Sequence, residues 1–222
     1  MRTVIFVGPS ISREALTKVL PEAEFRGPVE RGDIDVLLRE DTSPDIIGII
    51  DGKFLHAMSI SPKEILTALN RGVTILGSSS MGALRAAELD TLGMTGIGTI
   101  YQWYADGTID ADDEVAITFD PKSLRALCTP MVNFRASVNE LVGQGSVTEE
   151  EGGRIVETAK AMYFPDRTHA SVCEQLVFDG VESQRAEELF RLLEGSIDRK
   201  ATDALLLARR VSELTAEREV VA

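Results

Sequence analysis

A run of three serines, at positions 78 to 80, is the part of this sequence best suited to nucleophilic chemistry. The run follows a short apolar segment rich in β-branched residues, 73–76, and precedes a strongly helix-forming segment, 83–89. Ser80 lies two residues before Gly82, and this small-x-Ser-x-Gly spacing is that of a nucleophile elbow. In such an elbow, small neighbours leave a serine hydroxyl exposed on a strained strand-to-helix turn. We therefore predict Ser80 as a nucleophile; the alternative is that it, or the serine before it, only caps the helix.

The first turn of the predicted helix offers a binding site for an anion. Its backbone N–H groups lack partners within the helix, and together with the helix dipole they favour a negative charge. Ser78, Ser79 and Gly82 are small enough to let a ligand approach this backbone. Arg85 is close enough in sequence to reach an anion held there, so we predict these four as binding residues. Glu88 follows Arg85 at i+3, and the two side chains are expected to pair on one helix face.

Hydrolysis at Ser80 would need a base, and the sequence offers His56, Glu88 and Asp51 as candidates. His56 is the only side chain in this half of the chain that titrates near neutral pH, although a lone histidine is often incidental. None of the three has the spacing of a known catalytic triad. Lys63 is a further binding candidate, at the start of a helix whose other polar residues form a capping box; a lone lysine is otherwise usually solvated.

Two other predicted strands also end in small or acidic residues. Ser10 follows an apolar strand, 3–7, through a Gly-Pro bend, and Asp51 follows a β-branched strand, 46–50. The carboxyl ends of parallel strands lie along one edge of a sheet, where such proteins bind their ligands. We therefore expect Ser10 and Asp51 beside the serine run as binding residues. The alternatives are a helix cap for Ser10 and a simple turn for Asp51.

Strands and helices alternate through the first half of the chain. This order predicts an α/β fold, a parallel sheet flanked by helices of the Rossmann or flavodoxin-like type. One further strand is expected at residues 115–119, and only helical patterns follow from residue 124 onward. We therefore expect an α/β core domain at residues 1–120. An all-helical region at residues 121–222 would pack on that core or bind a protein partner.

Composition argues against several classes of function. The 222-residue chain has a net charge of −13, which argues against nucleic-acid binding. No apolar run is long enough to span a membrane, and the first residues lack a signal peptide, so we expect no membrane association and a cytoplasmic location. The two cysteines form no CxxC pair and the two histidines have no metal-ligand spacing, so no metal is expected. A P-loop and a dinucleotide fingerprint are also missing, so we expect no cofactor.

Several segments together resemble the TfuA-like core domain over about the first 120 residues. The most specific segment is Ser80-Met81-Gly82-Ala83-Leu84-Arg85-Ala86-Ala87-Glu88-Leu89. The other matching segments are Gly8-Pro9-Ser10 and residues 49–54, 63–66, 77–79, 101–116 and 163–168.

The resemblance implies a partner of YcaO-type ATP-dependent enzymes, which form thioamides in peptide backbones. Proteins of this family are tied to the sulfur side of that reaction. They would dock a thiocarboxylated, ubiquitin-like sulfur carrier similar to ThiS, or hydrolyse its thiocarboxylate to release sulfide. The targets implied include ribosomally made peptide natural products, and a homo-oligomer is compatible with this role.

Two alternatives to a thiocarboxylate hydrolase remain open from the sequence, besides a phosphate or nucleotide site on the same sheet edge, against which the missing P-loop and dinucleotide motifs count. The first is a non-catalytic adaptor that recruits the sulfur carrier to the YcaO enzyme or activates that enzyme. The second is a persulfide relay through Cys128 or Cys173, although neither cysteine belongs to a motif described above.

Overall fold

The computed structural model describes residues 1–54 and 58–221, with side chains up to Arg218. Its sheet consists of the strands β1 (Thr3–Phe6), β2 (Glu24–Arg26), β3 (Ile46–Ile49), β4 (Thr74–Ser78) and β5 (Thr95–Ile97). All neighbouring strands are parallel, and their order is β2-β1-β3-β4-β5. This is the strand order of flavodoxin-like proteins, in which the direction of sheet growth reverses between β1 and β3. The predicted α/β fold is therefore confirmed.

Helices connect the strands, and further helices come after the last strand in the chain. They are α1 (Arg13–Thr17), α2 (Asp33–Leu37), α3 (Pro62–Asn70), α4 (Met81–Leu89), α5 (Thr99–Ala105), α6 (Met131–Gly143), α7 (Glu149–Ala161), α8 (His169–Phe178), α9 (Ser183–Glu194) and α10 (Arg199–Val221). The chain forms two compact units: a sheet unit of Met1–Asp110 with the chain from Lys200 onward, and a helical unit of Ala111–Arg199. None of the described helices combines the length and the apolar character that crossing a membrane requires.

Helices cover both faces of the sheet, so its central strands are buried along their length. One face packs on α2, α3 and α4 through residues such as Ile65 and Leu84. The other face packs on α1 and α10 through Leu16 and Leu207. A side chain at Gly48 in β3 would come within 3.0 Å of Leu207, so α10 lies directly on the central strand. Burial of apolar surface on both faces is what stabilises a parallel sheet.

The helix α10 belongs to the sheet unit and not to the helical unit. The sequence pattern alone predicts one all-helical region at residues 121–222, which would include α10. The physical reason for the difference is the apolar stripe of α10, formed by Ala204, Leu207, Ala208 and Val211, which repeats at helical spacing and covers the sheet.

Local structure near the edge strand also differs from the sequence prediction. The sequence pattern predicts neither β5 nor α5, because Gly96 and Gly98 interrupt the apolar pattern there. Gly96 lies against the ring of Tyr101, and Gly98 has a positive φ of 97° just before α5. The strand predicted at residues 115–119 does not form; within the described part of the chain, Phe119 makes only an isolated β-bridge.

The helical unit packs α6 to α9 around an apolar core that includes Phe134 and Ile155. Arg167 is completely buried within this unit. Its guanidinium donates hydrogen bonds to the Ala159 carbonyl at 2.8 Å and to the Asp113 carboxylate at 3.0 Å. A buried charge is tolerated there because it is both paired and hydrogen-bonded.

Candidate functional site

Ser10 and Asp51 meet at the carboxyl edge of the sheet, between β1 and β3. One oxygen of the Asp51 carboxylate accepts hydrogen bonds from the Gly8 N–H at 2.8 Å and the Ser10 N–H at 3.1 Å. The other oxygen accepts a hydrogen bond from the Ser10 hydroxyl at 2.6 Å. Both residues are buried, so this contact fastens the Gly-Pro-Ser bend to the end of β3. The structure brings these two predicted residues together in a contact that holds the turn.

The serine run forms the turn between β4 and α4. The Ser80 N–H donates to the Ser78 carbonyl at 2.8 Å, which closes a three-residue turn around Ser79 with a φ of +66°. A positive φ strains a residue that carries a Cβ, and such strain is concentrated at functional sites. The first turn of α4 packs tightly below this bend, because a Cβ on Gly82 would lie 1.8 Å from the Ile49 carbonyl oxygen.

The Ser80 hydroxyl contacts a lysine that the sequence did not indicate. The Lys200 Nζ, in the first turn of α10, donates a hydrogen bond to the Ser80 Oγ at 3.0 Å. Ser80 does occupy the N-cap position of α4, but its side chain makes no capping hydrogen bond. Its carbonyl instead accepts the N–H groups of Ala83 and Leu84. The hydroxyl therefore points to Lys200 and is not used as a helix cap.

Both members of this pair are buried, with 3% of Ser80 and 2% of Lys200 exposed. The freely exposed hydroxyl expected of an elbow is therefore not found, because the first turn of α10 lies over it. Serine and lysine form a recognised nucleophile and base pair in hydrolases. The neutral amine is the form of a lysine that can accept a proton.

The sequence held only an indirect signal for Lys200. It lies 120 residues from Ser80, and no local motif links the two positions. However, Lys200 precedes Ala204, Leu207 and Val211 at helical spacing, on the stripe of α10 that covers the sheet. A lysine at a buried position of a helix needs a polar partner for its amine. This requirement is the signal by which the sequence could have indicated Lys200.

Ser78 and Ser79 also bond to α10, through its backbone. The Ser78 Oγ donates to the Asp203 carbonyl at 2.8 Å, and the Ser79 Oγ donates to the Lys200 carbonyl at 2.9 Å. Both serines are fully buried. Their hydroxyls are therefore engaged with the backbone of α10.

Arg85 and Glu88 pair with each other, as their spacing predicts. The Arg85 Nη1 lies 2.7 Å from both oxygens of Glu88, and the Arg85 Nε donates to the Ile60 carbonyl at 3.1 Å. Glu88 lies eight positions after Ser80, a rise of about 12 Å along the helix. The structure therefore does not bring the Glu88 carboxylate to the serine hydroxyl.

Two further predicted site residues are Lys63 and His56. Lys63 is in the first turn of α3 and is exposed. His56 lies outside the described residues.

The backbone N–H of Met81 is suited to stabilise a developing negative charge. In strand-turn-helix elbows, the residue after the nucleophile supplies one donor of the oxyanion hole, and Met81 follows Ser80. Among the residues that the structure describes, none accepts a hydrogen bond from the Met81 N–H. The same residues contain no group of three or more His, Cys, Asp or Glu side chains that could hold a metal ion.

The fold and this site together define an α/β protein with a buried serine–lysine pair at the carboxyl edge of a parallel sheet. The family model for TfuA-like proteins matches residues 51–168, which is more than half of the chain. The protein therefore belongs to the TfuA-like family. No curated protein matches the chain. The matched segment begins at Asp51, includes the serine run and extends past residue 120 into the helical unit. Ser10 and Lys200 lie outside it.

Proposed function

We propose that this protein supplies sulfur to a YcaO-type enzyme that forms peptide thioamides, by hydrolysing the thiocarboxylate of a ubiquitin-like sulfur carrier. The observation that carries this proposal is the hydrogen bond between Lys200 and Ser80. It places a potential base 3.0 Å from a potential nucleophile. Membership of the TfuA-like family supports the association with thioamide formation.

The reaction balances with these two side chains and one water. The Ser80 oxygen attacks the thiocarboxylate carbon while the Lys200 amine, in its neutral form, takes the hydroxyl proton. The C–S bond then breaks, sulfur leaves and takes that proton as hydrosulfide, and the carrier is held as an ester on Ser80. Water, deprotonated by the same amine, attacks the ester; the amine returns that proton to the leaving serine oxygen, and the released carboxylic acid loses its remaining proton to solvent as the carrier carboxylate.

The surroundings of the pair suit the charge that develops during this attack. The tetrahedral intermediate carries a negative oxygen, and the Met81 N–H at the start of α4 is a donor without an acceptor among the described residues. A donor fixed in advance and shielded from water stabilises such a charge more than solvent would. Because Ser80 is only 3% exposed, the substrate must be narrow, as an extended glycine tail ending in a thiocarboxylate is.

The test uses the purified protein alone with a thiocarboxylated carrier protein. Sulfide release and conversion of the carrier thiocarboxylate to carboxylate are measured together, the second by intact-protein mass spectrometry. We expect turnover by the wild type and losses of about 100-fold or more in Ser80→Ala and Lys200→Ala. Ser137→Ala, which removes a buried, hydrogen-bonded hydroxyl in the helical unit, is the matched control for the serine. Lys18→Ala, at an exposed lysine after α1, is the control for the lysine.

Two results would overturn the hydrolase proposal. One is unchanged sulfide release by folded Ser80→Ala or Lys200→Ala protein. The other is no turnover by the wild type alone, combined with a saturable increase in thioamide formation when it is added to the YcaO enzyme. That second result would identify the protein as an adaptor.

A further inference from the structure

We infer that Ser78 and Ser79 are positioning residues, whose hydroxyls hold the first turn of α10 so that Lys200 reaches Ser80. This inference rests on the proposed hydrolysis, but it assigns to the serine run a role different from ligand binding. The three consecutive serines then have two different roles. The Ser80 hydroxyl reacts, and the hydroxyls of Ser78 and Ser79 hold the helix that carries Lys200.

The two hydroxyls bind α10 at two points of one turn. Their acceptors are the carbonyls of Lys200, at 2.9 Å from the Ser79 Oγ, and of Asp203, at 2.8 Å from the Ser78 Oγ. Residues three apart lie on the same side of a helix, so both bonds hold the same side of the turn. Two such points restrict both sliding of the helix along its axis and rotation about that axis.

The side chain of Asp203 adds a third attachment, to a different element. Its Oδ2 accepts a hydrogen bond from the Ile100 N–H at 2.7 Å, in the first turn of α5. Gly98, before that turn, has no Cβ, and one would lie 2.5 Å from the Asp203 carboxyl carbon. The first turn of α10 is therefore fixed between the end of β4 and the start of α5.

This attachment matters because lysine is a flexible side chain. Holding it in one geometry costs conformational entropy, and the position of its amine depends on where the backbone is held. A displacement of about 1 Å between reacting groups can lower a rate about 100-fold. Since Ser78 and Ser79 are fully buried and, among the residues that the structure describes, their hydroxyls bond only to α10, we assign their effect on catalysis to Lys200.

A double-mutant cycle between Ser79 and Lys200 tests this assignment. Carrier hydrolysis is measured for the wild type, Ser79→Ala, Lys200→Ala and the double variant. We expect Ser79→Ala to lower kcat by about 10-fold or more with KM nearly unchanged. In the Lys200→Ala background we expect the same change to have no further effect, because the base that it positions is already gone. Ser137→Ala is again the matched control and should leave both constants unchanged.

The outcomes separate this inference from the proposed function. Wild-type turnover by Lys200→Ala would overturn the proposed hydrolysis, and with it the positioning role. A slow Lys200→Ala variant with an undiminished Ser79 effect in its background would overturn the positioning role alone. So would a folded Ser79→Ala variant with wild-type kcat. If Ser79→Ala does not fold, Ser78→Ala completes the same cycle, since the Ser78 hydroxyl bonds the Asp203 carbonyl of the same turn.

Discussion

The Asp51 carboxylate accepts the Ser10 hydroxyl at 2.6 Å, across the two strands where the order of the sheet reverses. With the N–H groups of Gly8 and Ser10, it receives three hydrogen bonds while remaining 2% exposed. A carboxylate with this set of donors holds two chain segments together. Asp51 is therefore the residue that joins the β1 turn to β3.

Asp51→Asn should accordingly destabilise the protein. The amide oxygen can still accept both backbone N–H groups, and its NH2 group can donate to the Ser10 hydroxyl, but these buried bonds lose the charge of the carboxylate, at a cost of about 1–3 kcal/mol. The free energy of unfolding is measured by urea titration, with circular dichroism as the readout. The control is Asp41→Asn, at an exposed position. A variant of unchanged stability that has lost sulfide release would instead give Asp51 a part in the chemistry.

Gly82→Ala should disrupt the turn that carries Ser80. The new Cβ would lie 1.8 Å from the Ile49 carbonyl oxygen, and backbone cannot yield as a flexible side chain can. We expect a loss of about 1–3 kcal/mol or more, with a fall in sulfide release as α4 is displaced. Gly153→Ala is the matched control, because a Cβ added at that helical glycine would meet nothing within 4 Å. It should stabilise α7 by about 0.5–1 kcal/mol. Equal stability of the two variants would contradict the packing described for α4.

Local pattern was sufficient for the central strands β1, β3 and β4 and for the grouping of Ser10 with Asp51. Each lies where an apolar strand ends, and parallel strands bring such ends to one edge. The same pattern could not find Lys200, because its partner is 120 residues away and the contact depends on how α10 packs. It also missed β5, whose three residues include a glycine and which is defined by pairing with β4. Tertiary contacts, rather than local preference, determine both features.

The Arg185–Glu151 pair should give the helical unit a stability that falls at low pH. The Arg185 guanidinium donates to both Glu151 oxygens, at 2.7 and 3.0 Å, and lowers the pKa of that carboxyl from 4.5 to about 2; the Thr148 N–H adds to the effect. A lowered pKa means that the stabilisation is complete above about pH 4.5 and is lost as the pH falls toward 2. The pair is partly exposed, so its contribution is about 1 kcal/mol.

Removal of the arginine tests this assignment. In Arg185→Ala, an NMR titration should move the Glu151 midpoint upward, toward 4.5. The difference in unfolding free energy from the wild type should be about 1 kcal/mol at pH 6 and should shrink near pH 2. The control is Arg191→Ala, which removes a highly exposed i,i+4 pair with Glu187 and should change stability little. A Glu151 midpoint that stays near 2 without the guanidinium would contradict the assigned cause.

The cysteines should be dispensable for sulfide release. Burial raises the pKa of the Cys173 thiol to about 11, so at pH 7 only about one molecule in ten thousand carries the thiolate that a persulfide relay needs. Cys128 is also buried, and its sulfur accepts a hydrogen bond from the Thr118 N–H at 3.1 Å. We therefore expect slow alkylation of the native protein by iodoacetamide at pH 7. In the double variant Cys128→Ala/Cys173→Ala, we expect sulfide release within about 2-fold of wild type. If that variant folds, binds the carrier and yet releases no sulfide, a cysteine is the nucleophile that displaces the sulfur. Ser80 would then not be the residue that takes the carrier.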